Sequence, residues 1–295
     1  PHVYDSQGIC HVVLPQNGHI VPGRFCVGGD SHSPTGGAFG AYMFGIGSTE
    51  MLGVVVTGEI WVQVPQTIRM IWDGVLQKGV CAKDMMLAMT QRFGMNGGGY
   101  QAIEYAGSTV KALSMPERMT LSNMSAELGA QVGLVAPDEV TRQWLGQLDQ
   151  PVNLNPADID CWQTDEGAET QDHHFDGAAL SPMVAAPHSP ANTRAVSEFA
   201  TQSIQVAYVG ACTGAKHADM RAAALARRIK PQLEARGYEV LMTRDQDVFV
   251  ELADRARFAN DNRADLFVSL HTNASKNRSV RGIETYFLGV ARDRQ

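Results

Sequence analysis

The residues with the clearest chemical potential form the run Gly-Gly-Asp-Ser-His at positions 28–32, directly after the apolar stretch 24–27. Two glycines let the backbone turn tightly where a short strand ends. The side chains of Asp30 and His32 can then face one pocket, where such a pair orients a substrate hydroxyl and moves its proton. The alternative is that Asp30 caps the following helix and His32 packs beside it.

Several other short motifs accompany this run within the first 221 residues. They are Gly-Ile-Cys-His at 8–11, Ser-Pro-Thr-Gly-Gly-Ala at 33–38, Ile-Glu-Tyr-Ala-Gly at 103–107, Leu-Ser-Asn-Met-Ser-Ala-Glu-Leu-Gly-Ala at 121–130 and Val-Gly-Ala-Cys-Thr-Gly-Ala-Lys at 209–216. In this order and at this spacing, the motifs resemble those of the aconitase family. That family comprises aconitases, homoaconitases and the large subunit of 3-isopropylmalate dehydratase. The sequence at 33–38 resembles the dehydratases more than it resembles the aconitases.

The resemblance implies a hydro-lyase that removes and re-adds water on a hydroxy di- or tricarboxylic acid. A [4Fe-4S] cluster held by three cysteine thiolates would act as Lewis acid, with Cys212 as one ligand. Asp30 and His32 match residues that handle the hydroxyl proton, His11 matches another active-site histidine, and Glu104 matches a carboxylate near the open iron. The plainer alternatives are a buried thiol for Cys212, a surface carboxylate for Glu104 and a hydrogen-bonded buried imidazole for His11.

Other parts of the family pattern have no counterpart in this sequence. No cysteine follows Cys212, so the Cys-x-x-Cys pair that supplies the other two cluster ligands is absent. The arginines that bind substrate carboxylates, and the swivel domain or small subunit, are absent too. Because one thiolate cannot hold a cubane cluster, we expect the isolated chain to be inactive. The chain begins at Pro1 and ends without a clear terminus, and we expect a fragment of a longer protein.

The last 74 residues resemble a different family, the zinc-dependent N-acetylmuramoyl-L-alanine amidases. The matching segments include Thr-Arg-Asp at 243–245, Ala-Asp-Leu-Phe-Val-Ser-Leu-His-Thr-Asn-Ala at 264–274 and Arg-Gly-Ile-Glu-Thr-Tyr-Phe at 281–287. The resemblance makes His271 a zinc ligand and Glu284 the catalytic glutamate. A catalytic zinc needs three protein ligands and a water, and the others would precede the matched segment. His271 could instead be a strand-end histidine held by hydrogen bonds.

Charge changes sign along the chain at about residue 221. Residues 1–221 hold 11 Lys and Arg against 21 Asp and Glu, a net charge of −10, whereas residues 222–295 hold 13 against 10, a net charge of +3. Such a shift indicates a domain boundary. We therefore predict an aconitase-like domain over 1–221, truncated at both ends, and an amidase-like fragment over 222–295.

The coarse pattern alternates strands and helices, which favours the α/β class. The resemblance specifies a three-layer α/β lobe with Asp30, His32 and Glu104 in one pocket at the strand ends, followed by a partial α/β segment. The predicted strands cover residues 9–14, 24–28 and 54–64, and the predicted helices cover 66–77, 83–93 and 122–130.

Composition excludes several classes of protein. The net charge of −7 argues against a nucleic-acid partner. No run of 18 apolar residues occurs, so we expect no membrane span. Five scattered cysteines without a CxxC pair fit the cytoplasm better than an oxidising compartment.

Three functions remain open at this level. They are an aconitase-type hydro-lyase with a small swivel subunit as partner, a zinc amidase acting on peptidoglycan, and a non-catalytic chimera with two incomplete sites.

Overall fold

The computed structural model describes residues 2–5, 7–155, 157, 159, 161–199, 273–274 and 281–282. Its α-helices are Cys10–Gln16 (α1), Ser48–Thr57 (α2), Ala82–Phe93 (α3), Ser108–Ala112 (α4), Met115–Asn123 (α5) and Glu139–Gly146 (α6). Its strands are Phe25–Gly28 (β1), Tyr42–Gly45 (β2), Thr67–Asp73 (β3), Ala102–Ala106 (β4), Val132–Val135 (β5), Gln171–Asp176 (β6), Met183–Ala185 (β7), Thr193–Ala195 (β8), Asn273–Ala274 (β9) and Arg281–Gly282 (β10). Short 3₁₀ helices cover Ser33–Phe39, Met124–Ala126 and Val196–Phe199.

A four-stranded parallel sheet in the order β5-β4-β3-β6 forms the centre of residues 9–199. Alternate residues of β3, namely Ile68, Met70 and Trp72, are buried. They pack into one core with methionines 85, 86 and 89 of α3. Parallel strands joined through helices define the α/β class, so that prediction is confirmed. The helix predicted over 66–77 is wrong, because this period-two alternation is that of a strand.

Helix α3 lies where the sequence predicts it, over 83–93. The Asp84 carboxylate accepts a hydrogen bond of 2.8 Å from the backbone N–H of Cys81 and so satisfies a donor that the first helical turn leaves open. Its other oxygen accepts one of 2.7 Å from the backbone N–H of Met183. One buried carboxylate thus starts α3 and attaches β7 to it.

A smaller unit of structure surrounds β1 and β2, which pair in parallel. The predicted strand over 24–28 is confirmed as β1. The 3₁₀ helix Ser33–Phe39 between the two strands is buried throughout, and Phe39 packs against Trp144 of α6 with ring centroids 4.9 Å apart. The strand predicted over 9–14 is wrong, because α1 occupies this segment, although its buried residues His11, Val13 and Pro15 alternate along the chain as they would in a strand.

Helix α2 replaces the first four residues of the strand predicted over 54–64, and residues 58–64 form neither helix nor strand. It begins where the Glu50 carboxylate accepts the Gly47 backbone N–H at 2.9 Å. None of its residues is buried, and Val55 and Val56 are about three-quarters exposed. The three consecutive valines favour a strand by propensity alone, but no neighbouring strand pairs with them, and the local cap decides the outcome.

The remaining predictions concern the helix over 122–130, the domain boundary at residue 221 and the absence of a membrane span. The helix predicted over 122–130 is the end of α5 followed by the 3₁₀ turn Met124–Ala126. Strands β9 and β10 pair antiparallel, but the proposed boundary at residue 221 lies outside the described residues. No helix in the described part of the chain is long and apolar enough to cross a membrane.

Candidate active site

Asp30 stands two residues beyond the end of β1 and is the centre of the candidate site. Its Oδ1 accepts a hydrogen bond of 2.7 Å from the backbone N–H of His32. The same oxygen lies 3.4 Å from Nδ1 of His11 and 3.8 Å from Nδ1 of His32. Asp30 therefore holds the turn before the 3₁₀ helix but does not cap that helix, whose N-cap residue is His32, and it also faces two imidazoles.

His11 reaches Asp30 from α1, although the two residues are far apart in sequence. Its side chain is only 1% exposed, and its ring lies 6.2 Å from that of His32. A carboxylate beside Nδ1 favours the tautomer with hydrogen on Nδ1, which leaves Nε2 as the basic nitrogen. The structure thus brings His11 and His32 together at one oxygen of Asp30.

Glu127 completes the group, although the sequence did not predict it as a site residue. It follows the 3₁₀ turn Met124–Ala126, and its Oε1 lies 3.4 Å from Nε2 of His32. The Ser31 hydroxyl stands 3.2 Å from Nδ1 of His32. The imidazole thus lies between a hydroxyl and a carboxylate, an arrangement that can hold a proton and pass it on.

One oxygen of the Glu127 carboxylate lacks a hydrogen bond. This atom, Oε2, is buried, and no described residue donates to it. A buried carboxylate oxygen without a partner is costly, so this carboxylate favours a hydrogen-bond donor at its other oxygen, where Nε2 of His32 lies. The motif at 121–130 was the available signal, because it places a glutamate in a polar segment that follows a buried helix.

A cleft of about 430 Å³ opens beside this group. Its lining combines small, apolar and neutral polar residues with one acid: Asp30, Ser31, Pro34, Gly45, Ile46, Tyr100, Ala126, Gly129, Ala130 and Gln131. The Asp30 side chain is 41% exposed and so is reachable from this space. We define the substrate cleft by these residues.

Glu104 does not share the substrate cleft, which corrects the expectation that it joins Asp30 and His32 in one pocket. It lies in the middle of β4, with its side chain on the face of the sheet opposite the methionine core. Nε of Arg69 donates to its Oε1 at 3.2 Å, and the Thr164 hydroxyl donates to its Oε2. These residues line a separate cavity of about 700 Å³.

Three charged residues form a row across this polar face of the sheet. In the strand register, Arg69 of β3 stands beside Glu104 of β4 on one side and Asp172 of β6 on the other. Its guanidinium contacts both, with Nη1 at 3.4 Å from Oδ2 of Asp172. We call this row the charge ladder, and it accounts for Glu104 as an ion-pair partner.

The predicted metal ligands receive no support from the described residues. Within residues 2–199, as far as they are described, and in β9 and β10, no group of three His, Cys, Asp or Glu side chains could hold a metal ion. Cys212, the predicted cluster ligand, lies outside the described residues. So do His271 and Glu284, the residues predicted for a zinc site.

Comparison with known proteins places this geometry in a family. The model of the aconitase family (aconitate hydratase) matches residues 1–241, and the chain belongs to the aconitase family. A second model, for N-acetylmuramoyl-L-alanine amidase, matches residues 204–295. The two matches overlap between residues 204 and 241, so all the described residues up to 199 lie in the aconitase match alone.

Curated relatives of the chain include large subunits of 3-isopropylmalate dehydratase and of homoaconitase. A probable 3-isopropylmalate dehydratase large subunit of Methanosarcina mazei is 41% identical over 216 residues, which are 73% of this chain and 50% of the relative. The 3-isopropylmalate dehydratase large subunit 1 of Methanopyrus kandleri is 40% identical, over 76% of this chain and 52% of its own length. A probable methanogen homoaconitase large subunit of Methanosarcina mazei is 38% identical, over 76% and 56%. The chain spans about half the length of these relatives.

Proposed function

We propose that the chain belongs to a hydro-lyase that dehydrates and rehydrates a hydroxy di- or tricarboxylic acid. The observation that carries this proposal is the group of Asp30, His11, His32 and Glu127 at one end of the substrate cleft. The names of the relatives, 3-isopropylmalate dehydratase and homoaconitase, point to the same substrate class.

The chain's own residues account for the hydroxyl side of such a reaction. Dehydration removes a proton from carbon and a hydroxide from the neighbouring carbon, and both groups are poor leaving groups without help. Asp30 is placed to accept a hydrogen bond from the substrate hydroxyl and to hold His11 in one tautomer. Protonated His32 donates its proton to the leaving hydroxide, which departs as water, and contacts with Glu127 and Ser31 fix the orientation of its ring.

Family membership implies an iron–sulfur cluster, which when bound supplies a Lewis acid for the leaving hydroxyl. We propose Cys212 as one ligand. The described cysteines, at positions 10, 26, 81 and 161, do not gather with other ligands into a metal-binding group in the part of the chain that the structure describes. Cys212 lies outside that part, and we assign no step to the cluster. We propose that the isolated chain is inactive and that a small subunit, as in two-subunit dehydratases, completes the enzyme.

A second function is proposed for the carboxyl-terminal residues, because the amidase model matches 204–295. In that proposal residues 222–295 are a fragment of a zinc-dependent peptidoglycan amidase, with His271 as zinc ligand and Glu284 as general base. Two incomplete sites on one chain would make a non-catalytic chimera. Stoichiometric zinc and cleavage of a muropeptide would support the amidase, and absence of both would favour the chimera.

For the first domain we propose the cytoplasm as its compartment.

Discrimination between two ligands tests the hydro-lyase proposal. We expect the chain to bind 3-isopropylmalate at least about tenfold more tightly than isopropylsuccinate, which lacks the hydroxyl, because a hydrogen bond to a charged group contributes about 1.5–3 kcal/mol. The ratio should fall close to one in Asp30→Ala. Ligand-observed NMR titration of both acids measures it.

The exposed residue Asp149 supplies the control, since Asp149→Ala removes an acid that lines neither cavity. Its ratio should equal that of the unmodified chain. A chain that binds both acids equally, or neither, would overturn the proposed function.

A further inference from the structure

Gln131 gives the substrate cleft a polar wall that the proposed reaction has not used. It precedes β5 and is buried, with 5% of its surface exposed. Its backbone N–H donates to the carbonyl of Gln101 at 3.0 Å, so the main chain is fixed at this point. A buried amide side chain in a cleft wall must place both its oxygen and its nitrogen, and each placement has a consequence.

Tyr42 determines the direction of the Gln131 amide. The Tyr42 hydroxyl, on β2, donates a hydrogen bond to Oε1 of Gln131. The Tyr42 ring is itself held, because it stacks on Phe25 with centroids 5.7 Å apart and meets Phe44 edge-on at 5.9 Å. Burial raises the pKa of Tyr42 to about 12, so the phenol stays protonated and remains a donor throughout the neutral range.

The amide therefore presents a donor group to its surroundings. With Oε1 engaged by Tyr42, the two hydrogens on Nε2 are directed away from that bond and require acceptors. The substrate cleft that Gln131 lines contains no lysine, arginine or histidine among its lining residues. Neutral donors are then the groups with which this cleft can bind a carboxylate, and Gln131 is the buried one.

Tyr100 indicates that this end of the cleft is built for a ligand. It adopts a φ of +58°, a conformation that side chains other than glycine rarely take. The Tyr100 backbone N–H holds the turn by donating to the carbonyl of Gly129 at 2.8 Å. The result is a 60% exposed aromatic side chain at the mouth of the cleft, where a glycine would relieve the strain. Strain of this kind gathers where ligands bind.

We infer that Gln131, oriented by Tyr42, binds a carboxylate of the hydroxy acid through its Nε2 hydrogens and so contributes to substrate specificity. The inference rests on the proposed function, because the hydroxy acid of that reaction provides the carboxylate. In this arrangement Asp30 binds the hydroxyl and Gln131 binds a carboxylate of the same molecule, and both residues line the cleft of about 430 Å³.

The test uses the full chain and 3-isopropylmalate as the probe, with affinity measured by NMR titration. Gln131→Glu keeps the length of the side chain and an acceptor for the Tyr42 hydroxyl, but it removes both donors and adds a repelling charge. We expect binding to weaken at least about tenfold, the effect of losing one hydrogen bond to a charged group. Tyr42→Phe should weaken binding less, about threefold, because the amide remains but is no longer oriented.

Gln143→Glu is the matched control, since Gln143 is an exposed amide on α6, and its affinity should stay within about twofold. If Gln131→Glu does not fold, Gln131→Met replaces it, because methionine has similar volume and no donor. Unchanged affinity in both Gln131 variants, with the hydroxyl preference lost only in Asp30→Ala, would overturn the inference and leave the proposed function standing. A chain with no hydroxyl preference at all would overturn both.

Discussion

Replacement of Arg118 by alanine is expected to lower the free energy of unfolding by about 2–3 kcal/mol, since it removes the buried partner of an ion pair and leaves two backbone carbonyls and the 35% exposed Asp138 carboxylate without their donor. The Arg118 side chain is fully buried, and its two terminal nitrogens each donate at 2.7 Å to one oxygen of Asp138. The guanidinium also donates to the carbonyls of Leu113 and Lys111, at 3.2 and 2.9 Å.

The position of Asp138 increases this effect. It is the N-cap of α6, where its carboxylate accepts the backbone N–H of Val140 at 2.9 Å. One bidentate pair thus joins α5, which carries Arg118, to the start of α6. Removing the guanidinium loosens the helix cap as well as the ion pair.

Arg142→Ala is the matched control for this prediction. Arg142 pairs with Glu139 on the exposed surface of α6, and exposed pairs contribute about 0–1 kcal/mol. Urea unfolding followed by circular dichroism would measure both variants. Equal midpoints for the two would contradict the argument from burial.

Gly107→Ala is the second substitution expected to have a large effect, of about 3 kcal/mol or more. Gly107 has a φ of +98°, and a Cβ built there would lie 2.1 Å from the carbonyl oxygen of Trp72. The obstructing atom belongs to the backbone of β3, whose Trp72 side chain is buried and stacks on Phe175. Neither partner can move without disturbing the sheet, so the strain and the overlap add.

Gly79→Ala separates these two contributions. Gly79 has a similar φ of +91°, but nothing lies within 4 Å of the position of its Cβ. Its cost should be that of the backbone conformation alone, about 1–2 kcal/mol. Thermal unfolding of both variants measures the difference, and a Gly107 variant as stable as the Gly79 variant would show that the sheet yields.

Local sequence predicts the part of the site that is built locally. Asp30 and His32 lie on one tight turn after a strand, so their proximity depends on a few backbone angles. Glu127 is 95 residues from His32, and their contact depends on how the turn after α5 packs against the turn after β1. No periodicity or spacing in one sequence carries that information, because it arises from the packing of the intervening core.

Two errors in the predicted elements have a physical explanation as well. Residues 67–73 alternate between buried and partly exposed positions, which is a strand pattern, but Ile68, Ile71 and Trp72, at i, i+3 and i+4, also fit part of a helical stripe. The valines at 54–56 have high strand propensity, yet tertiary context determines whether a partner strand exists. Glu104 was misplaced for a related reason, since strand alternation turns it towards Arg69 and away from the site.

The charge ladder also bears on how the chain avoids misfolding. Parallel strands of similar composition can pair in more than one alignment, and a shift by one residue turns every side chain to the opposite face. Such a shift of β3 would drive Arg69 into the methionine core without a partner and would expose Trp72. Glu104 and Asp172 therefore penalise every odd-numbered misalignment on both sides of the central strand. The three charges therefore favour a single register of the sheet, because they raise the free energy of the misaligned alternatives.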